Sequence, residues 1–502
     1  TTGTFNTIIG GLAGDALTDA DENVAVGAVA LSTDTLGSRS TAVGRSALAT
    51  QNFTTATNVY NTGLGYAAGS LITTGVRNTA VGGLALQNET LGTNNVAVGY
   101  AALNTQNFTT ATDVYNVAVG SLAGLSVTTG FYNTIVGALA ADALTTGRNN
   151  VAIGTSALST DVAGQRSVAI GTDALGGQNF TTATDSYNTA VGTSAGQAVT
   201  TGVDNTLIGG LSGDAITDAD FNVAVGNSSL SANTVGSRNT AIGSSALLVM
   251  NPSTATDTYN TAVGYHAGRL VTTGVNNTIV GSLAGDAMTT GSNNTFVGIS
   301  ASGNGVLTGD NNTSLGVFAG GNLRAGANNS FLGHDAGVTG SPGGNFVDAN
   351  NSICLGDENI TGLFCQVALT VASDERDKTD FVDLDLGLDF VKALEPVTYY
   401  WDKRSKYGDK YAEDYDLNAQ TPDGTHKEDW MDIGFKAQSV QALEEAAGYK
   451  IADKKNLTVS LTQDGKQYSL KYEKFVPILV KAIKDQDAII TALTARVAAL
   501  ES

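Results

Sequence analysis

Lysine is missing from the first 372 residues of this 502-residue chain, where eight arginines face 22 acidic residues. Proline is scarce too, with 5 in the whole chain, alongside 2 cysteines, 2 tryptophans and 3 histidines. Each shortage excludes something. Two cysteines, Cys354 and Cys365, build no disulfide framework; they read as small buried thiols, or as one bridge closing a short loop. Three histidines, His266, His334 and His426, lie too far apart in sequence for a zinc spacing, so neither a metal nor a cofactor is expected. No apolar run reaches the length of a membrane-crossing helix. The net charge of -21 argues against nucleic acid and anionic membrane as partners. The opening Thr-Thr-Gly-Thr-Phe is not a signal peptide and has no initiator Met, so the chain is expected to begin inside a longer gene product.

Glycine and small apolar residues fill the space left. With 61 Gly and 42% hydrophobic residues the chain is neither collagen, which needs Gly at every third position, nor a disordered linker. The composition also breaks sharply near residue 373. Residues 373–502 carry 18 basic and 25 acidic residues, and glycine divides 55 before the break to 6 after it. Two unlike architectures are joined there.

The first is a repeat. Asn-Thr-Ala-Val-Gly, or a close variant, starts at Asn6, Asn23, Ser40 and Asn61 and recurs to Asn329, with a degenerate copy at Ser352. The dominant interval is 17 residues. Four intervals are 21, each holding an insertion: Gln51–Tyr60, Gln106–Tyr115, Gln178–Tyr187 and the looser Met250–Tyr259. Alternation places Val96 and Val98 on one face and Asn95 and Ala97 on the other. Strands this short are stable only when stacked on copies of themselves, which predicts a column of buried valines. A second apolar stretch (Leu122-Ala123-Gly124) and a Thr128–Gly130 turn would complete each coil. The predicted body is a β-roll or β-solenoid of about 20 rungs over residues 1–356.

Ser167-Val168-Ala169-Ile170-Gly171 resembles the strand repeat in the heads of trimeric autotransporter adhesins. That resemblance implies a trimeric parallel β-roll. The period here is longer than in those heads, and their membrane-anchor barrel is absent from this sequence. Two acidic loops, Asp15/Asp19/Asp21 and Asp214/Asp218/Asp220, raise calcium binding, although an acidic turn variant is the preferred reading. The insertion aromatics Phe53, Tyr60, Phe108, Tyr115, Phe180 and Tyr187 are candidate receptor-loop residues able to stack on sugars, or else pack a corner or subunit seam. No pair of carboxylates marks a glycosidase site.

After the break come Ser373-Asp374-Glu375-Arg376-Asp377-Lys378, then Leu386 to Val397, a Tyr399-Tyr400-Trp401 cluster, Gly434-Phe435-Lys436-Ala437-Gln438-Ser439 and Tyr472-Glu473-Lys474-Phe475. This order of motifs over 373–502 resembles the intramolecular chaperone of phage endosialidases and tail spikes. The resemblance implies a module that trimerises, templates the preceding fibre and cuts itself off with a Ser-Lys dyad. Ser373 would be the nucleophile and Lys378 its base, with cleavage beside Ser373, most simply at the Ala372–Ser373 bond. Asp377, where such modules often carry an apolar residue, would oppose deprotonation of Lys378. Val476, Ile483, Ile490 and Val497 recur every seven residues, as do Leu479, Gln486, Leu493 and Leu500, giving an a/d seam for a helical coiled coil.

The expected organisation is a shaft over 1–356, a connector over 357–372, a small α+β chaperone domain over 373–475 and a helix over 476–502. The expected protein is a homotrimeric viral tail fibre, folded in the host cytoplasm, sited extracellularly on the virion tail. Its partners would be itself, tail or baseplate proteins and a host-surface glycan. At most one self-cleavage per chain is expected of it as an enzyme. A bacterial surface or contractile-injection adhesin and a polysaccharide-degrading tailspike are the alternatives.

Overall fold

The computed structural model describes residues 2–366, 371–410, 412 and 414–501. Residues 367–370, inside the expected connector, lie outside the described residues. The chain divides into two compact units, residues 1–310 and 311–502.

The first unit is a β-solenoid. Three-residue strands run from Thr7–Ile9 to Thr295–Val297, one for each copy of the repeat. Each pairs in parallel with the next copy, as in Thr134↔Val151, Ile135↔Ala152 and Val136↔Ile153. The repeat's terminal glycine ends the strand. At Gly137 φ is +138°, and a Cβ there would lie 2.4 Å from the Gly154 carbonyl oxygen. Only glycine lets successive turns stack that closely.

The inward face differs from the sequence expectation. Ala97, Ala118 and Ala152 are fully buried, whereas the flanking Val96 and Val98 are half-exposed. The valine column therefore lies outside and the alanine column inside. The reason is width. The opposite wall contributes Leu103 and Val127, and these meet Ile135 so tightly that a Cβ on Gly124 would lie 3.0 Å from both Ile135 and Leu103. Alanine at the strand centre fits that narrow interior. Where the centre is larger, the facing wall has a glycine: Leu207 against Gly196 and Gly213, Phe296 against Gly285.

The repeat's first Asn is also inside, and its burial is satisfied along the stack. Asn133 Nδ2 donates to the Gly147 carbonyl at 2.9 Å, and its Oδ1 accepts from Asn150 N–H at 3.0 Å. Its own N–H donates to Asn116 Oδ1 at 2.9 Å. Asn150 repeats the pattern on Gly164. The side chain thus replaces ladder bonds that a corner would otherwise leave unmade.

The insertions are anchored by a buried acid one turn earlier. Asp161 Oδ1 accepts from Gly164 N–H at 3.1 Å and Phe180 N–H at 3.0 Å, while its Oδ2 accepts from Gln178 Nε2 at 2.8 Å. Asp34 with Gln51, and Glu89 with Gln106, do the same. Burial pushes the Asp161 carboxyl above its ordinary range against these donors. The fourth insertion replaces both partners together: Asn233 stands where the acid would be and buried Met250 where the Gln would be. That paired exchange explains its looser sequence.

The second unit opens with strands Thr313–Leu315, Ser330–Leu332 and Ile353–Leu355, again parallel and in register. Cys354 is buried at the inward position, and Cys365 is exposed. The two thiols are free, so the expectation of two buried thiols holds for Cys354 alone.

Then follows a small α+β module. Helices α1 (Leu388–Ala393), α2 (Ala437–Ala446) and α3 (Phe475–Glu501) enclose a core of Leu386, Phe390, Val440, Val459, Phe475 and Ile478. Two antiparallel strand pairs accompany them, Val397–Tyr399 with Asp432–Gly434 and Val459–Leu461 with Tyr468–Leu470. Buried Glu444 on α2 accepts from Thr458 N–H at 2.6 Å and Leu457 N–H at 3.1 Å, fixing the loop that returns to the core. Only the first turns of α3 are buried, through Phe475, Ile478 and Ala482. The a/d residues Val476, Leu479, Ile483, Ile490, Leu493, Val497 and Leu500 are all exposed.

Candidate functional site

Ser373 and Lys378 are five residues apart, and a single tight turn closes that distance. Asp374 starts a 3₁₀ turn over Glu375–Asp377 by accepting from Arg376 N–H at 2.9 Å. The Arg376 guanidinium donates to the same carboxylate at 2.6 Å and holds it below the usual carboxylate range. Lys378 emerges from this turn folded back toward Ser373. Its Nζ donates to Ser373 Oγ at 2.6 Å and to the Ser373 carbonyl at 3.1 Å. A nucleophile and a candidate base are thus within hydrogen-bond reach. Among the described residues no ion pair joins Asp377 to Lys378. Ala372, Ser373 and Lys378 are all exposed in the single chain.

Of the six insertion aromatics, Phe53, Phe108 and Phe180 are turned inward and buried. Their backbones sit on the anchoring acids, so these rings plug the corner and present no face to a ligand. Tyr60, Tyr115 and Tyr187 are half-exposed. Tyr60 accepts from Arg39 at 2.7 Å and Tyr187 from Arg166 at 3.1 Å, while Tyr115 stacks on Tyr132 with ring centroids 5.9 Å apart. Sequence reasoning found these tyrosines but not Arg39, Arg166 and Tyr132, the neighbours that hold them.

The two acidic loops bond to neighbouring turns. Asp21 Oδ1 accepts from Thr4 N–H at 2.7 Å and Thr4 Oγ at 2.9 Å, bonds that lower its pKa. Asp220 Oδ1 accepts from Val203 N–H at 2.7 Å, and Asp214 from Ser231 Oγ. Among the described residues, the His/Asp group close enough to share an ion is elsewhere: His334, Asp335 and Asp357. Asp335 there already pairs with Lys410 at 2.8 Å.

In the module, Tyr399 is packed against Asp432, which accepts from its hydroxyl at 3.3 Å and from Trp401 Nε1 at 3.2 Å. Burial, reinforced by the Asp432 charge, pushes the Tyr399 phenol up to about 12. Asp432 thus ties Tyr399 and Trp401 together, while Tyr400 is exposed.

Residues 373–449 match the family model described as chaperone of endosialidase, and the match begins on Ser373 itself. No curated protein and no solved structure matches the chain. A long β-solenoid followed by a chaperone-of-endosialidase module fits a tail fibre with a C-terminal chaperone domain. Residues 450–502, including α3, lie beyond the match.

Proposed function

We propose that this chain is the subunit of a homotrimeric viral tail fibre whose C-terminal module aligns three chains and is then cut off at Ser373. The observation that carries the proposal is the apolar a/d seam of α3, left wholly exposed behind a segment matching the chaperone family. Seven large apolar side chains at heptad spacing are costly in water, and three copies packed along that seam would bury them. The outward strand column gives the solenoid the same incentive. Ile9, Leu64, Val119, Ile153, Ile208 and Ile242 stand at its third strand position, each more than a third exposed. Identical rungs pair equally well one turn out of step, so a clamp that forms first sets the register.

The self-cutting step follows from the Ser373–Lys378 contact. Lys378 takes the Oγ proton as Oγ adds to the Ala372 carbonyl carbon. The Ala372–Ser373 C–N bond breaks, and the Ser373 nitrogen receives the proton from Lys378. Water then hydrolyses the resulting ester, restoring the hydroxyl and leaving a new carboxylate on Ala372. Both groups are solvated in the single chain, so this chemistry gains a low-dielectric setting only when neighbouring chains cover it. Cutting after assembly makes unfolding hard to reverse. The fibre would act outside the cell on the virion tail, bound to tail or baseplate proteins. The exposed Tyr60, Tyr115 and Tyr187 would offer stacking faces to a host-surface glycan.

Mass analysis of the expressed chain tests the proposal. Loss of about 130 residues, abolished by Ser373→Ala in a chain that still forms trimers, is the expected result. A monomeric, uncut native chain would overturn it.

A further inference from the structure

The interval between the last two copies of the repeat is 23 residues rather than 17, as in the bond from Ser352 N–H to Asn329 Oδ1. The extra residues include Gly340 to Asn345, and this loop is shaped to the module. A Cβ on Gly344 would lie 2.8 Å from Thr462 Cβ and from Asp464 Oδ1, and one on Gly340 would lie 2.5 Å from Ser405 Cβ. Asn345 N–H donates to Asp464 Oδ2 at 3.1 Å. Beside it, Lys410 sits between two buried carboxylates, 2.8 Å from Asp335 and 2.8 Å from Glu358. Lys403 donates to the Glu358 carbonyl at 2.7 Å and pairs with Glu428 at 3.0 Å. Asp335, Gly340, Gly344, Asn345 and Glu358 all precede Ser373. Ser405, Lys403, Lys410, Thr462 and Asp464 all follow it.

We infer that this surface is a docking site for the module itself, which keeps the cut fragment seated on the last turns of the solenoid. The inference rests on the proposed cut at Ser373. That cut falls in exposed chain: residues 359–366 and 371–380 are solvated and contribute none of these contacts. Severing it leaves every one of them intact. Departure of the fragment would cost Asp335 and Glu358 their bonds to the Lys410 ammonium, charge-assisted contacts that are strong because they are shielded from water. Breaking the peptide link and releasing the module are therefore separate events, the second governed by Lys410.

The test places a specific protease site in the 359–366 segment of a Ser373→Ala chain, so that the cut is made at will in the assembled protein. Fragments that co-elute after cutting, and separate when Lys410→Met is added, are the expected result. Lys410→Met should weaken the association at least ~30-fold, and Lys410→Arg should preserve it. Asp464→Ala, at the other end of the surface, should weaken it independently and decides the matter if Lys410→Met does not assemble. Immediate separation of the parent fragments overturns the inference, as does undiminished association in both weakening variants. Failure of the wild type to cut itself would refute the dyad and leave this test intact.

Discussion

Asn133→Ala removes one rung of the internal amide ladder. The substitution strands two buried groups, the Gly147 carbonyl and the Asn150 N–H, each of which loses the partner described above. The Asn133 N–H keeps its bond to Asn116, so the damage is confined to one side. An orphaned buried polar group costs roughly 1–3 kcal/mol, which puts the pair at about 4 kcal/mol. Turns of a solenoid contact only their neighbours, so the loss should stay local. Native-state hydrogen exchange reads it directly. The Asn150 amide should exchange about a thousandfold faster, since each 1.4 kcal/mol is about tenfold, while amides near Asn239 stay unchanged. Asn133→Asp separates the two bonds, because a carboxylate still accepts from Asn150 N–H but offers Gly147 no donor. Unchanged protection at Asn150 in Asn133→Ala would refute the claim that these side chains stand in for missing ladder bonds.

Gly137→Ala should be among the most damaging single-methyl additions in the first unit, because the new Cβ meets the Gly154 oxygen at 2.4 Å in a left-handed backbone; a loss of more than about 2 kcal/mol is expected, and an unaltered melting curve would contradict it. Asp161→Asn should be tolerated only together with Gln178→Met, because Asn233 fills the equivalent corner opposite Met250, whereas alone it would set a second donor against Gln178 Nε2. In the wild type the raised Asp161 pKa means the folded state holds its proton more tightly than the unfolded one, so this residue favours folding increasingly as pH falls through its folded pKa and opposes it as pH rises. The double variant should lose that pH dependence, which paired acid titrations would show. Ile483→Asp with Ile490→Asp, two exposed positions on α3, should leave the module's core folded yet prevent both self-association and cutting. Sedimentation together with mass analysis would show this, and efficient cutting in a monomer would count against assembly as the trigger.

Much of the solenoid was legible because periodicity survives in plain sequence: the repeat, its intervals and its insertions are visible by eye. Which face turns inward was not. Alternation sorts Val96 and Val98 from Ala97 but is silent on polarity, and ranking by hydrophobicity chose the larger residues. The narrow interior reverses that order. The corners were obscure for another reason. Arg39, Leu48 and Tyr132 take left-handed backbone angles without being glycine, held there by ladder contacts from adjacent turns that no local propensity encodes. The buried acids Asp34, Glu89 and Asp161 carried a usable signal, a fixed 17-residue offset from each Gln, masked by the familiar rule that acids face water. At the candidate site, the five-residue spacing of Ser373 and Lys378 was readable, but the Asp374–Arg376 turn that brings them together was not. The docking contacts were hidden entirely, since Asp335 and Lys410 are joined only by tertiary structure.

Where successive turns all open on Asn, as from Asn116 to Asn150, the amide ladder ends a turn with the same donor and acceptor that began it. Such a turn can therefore be duplicated or deleted without spoiling the fit of its neighbours, and fibre length becomes a quantity that recombination can adjust freely. The insertion corners behave differently. Because an acid in one turn serves a glutamine in the next, those segments can be copied only in pairs, and a lone half would carry either a buried charge or an unanswered amide.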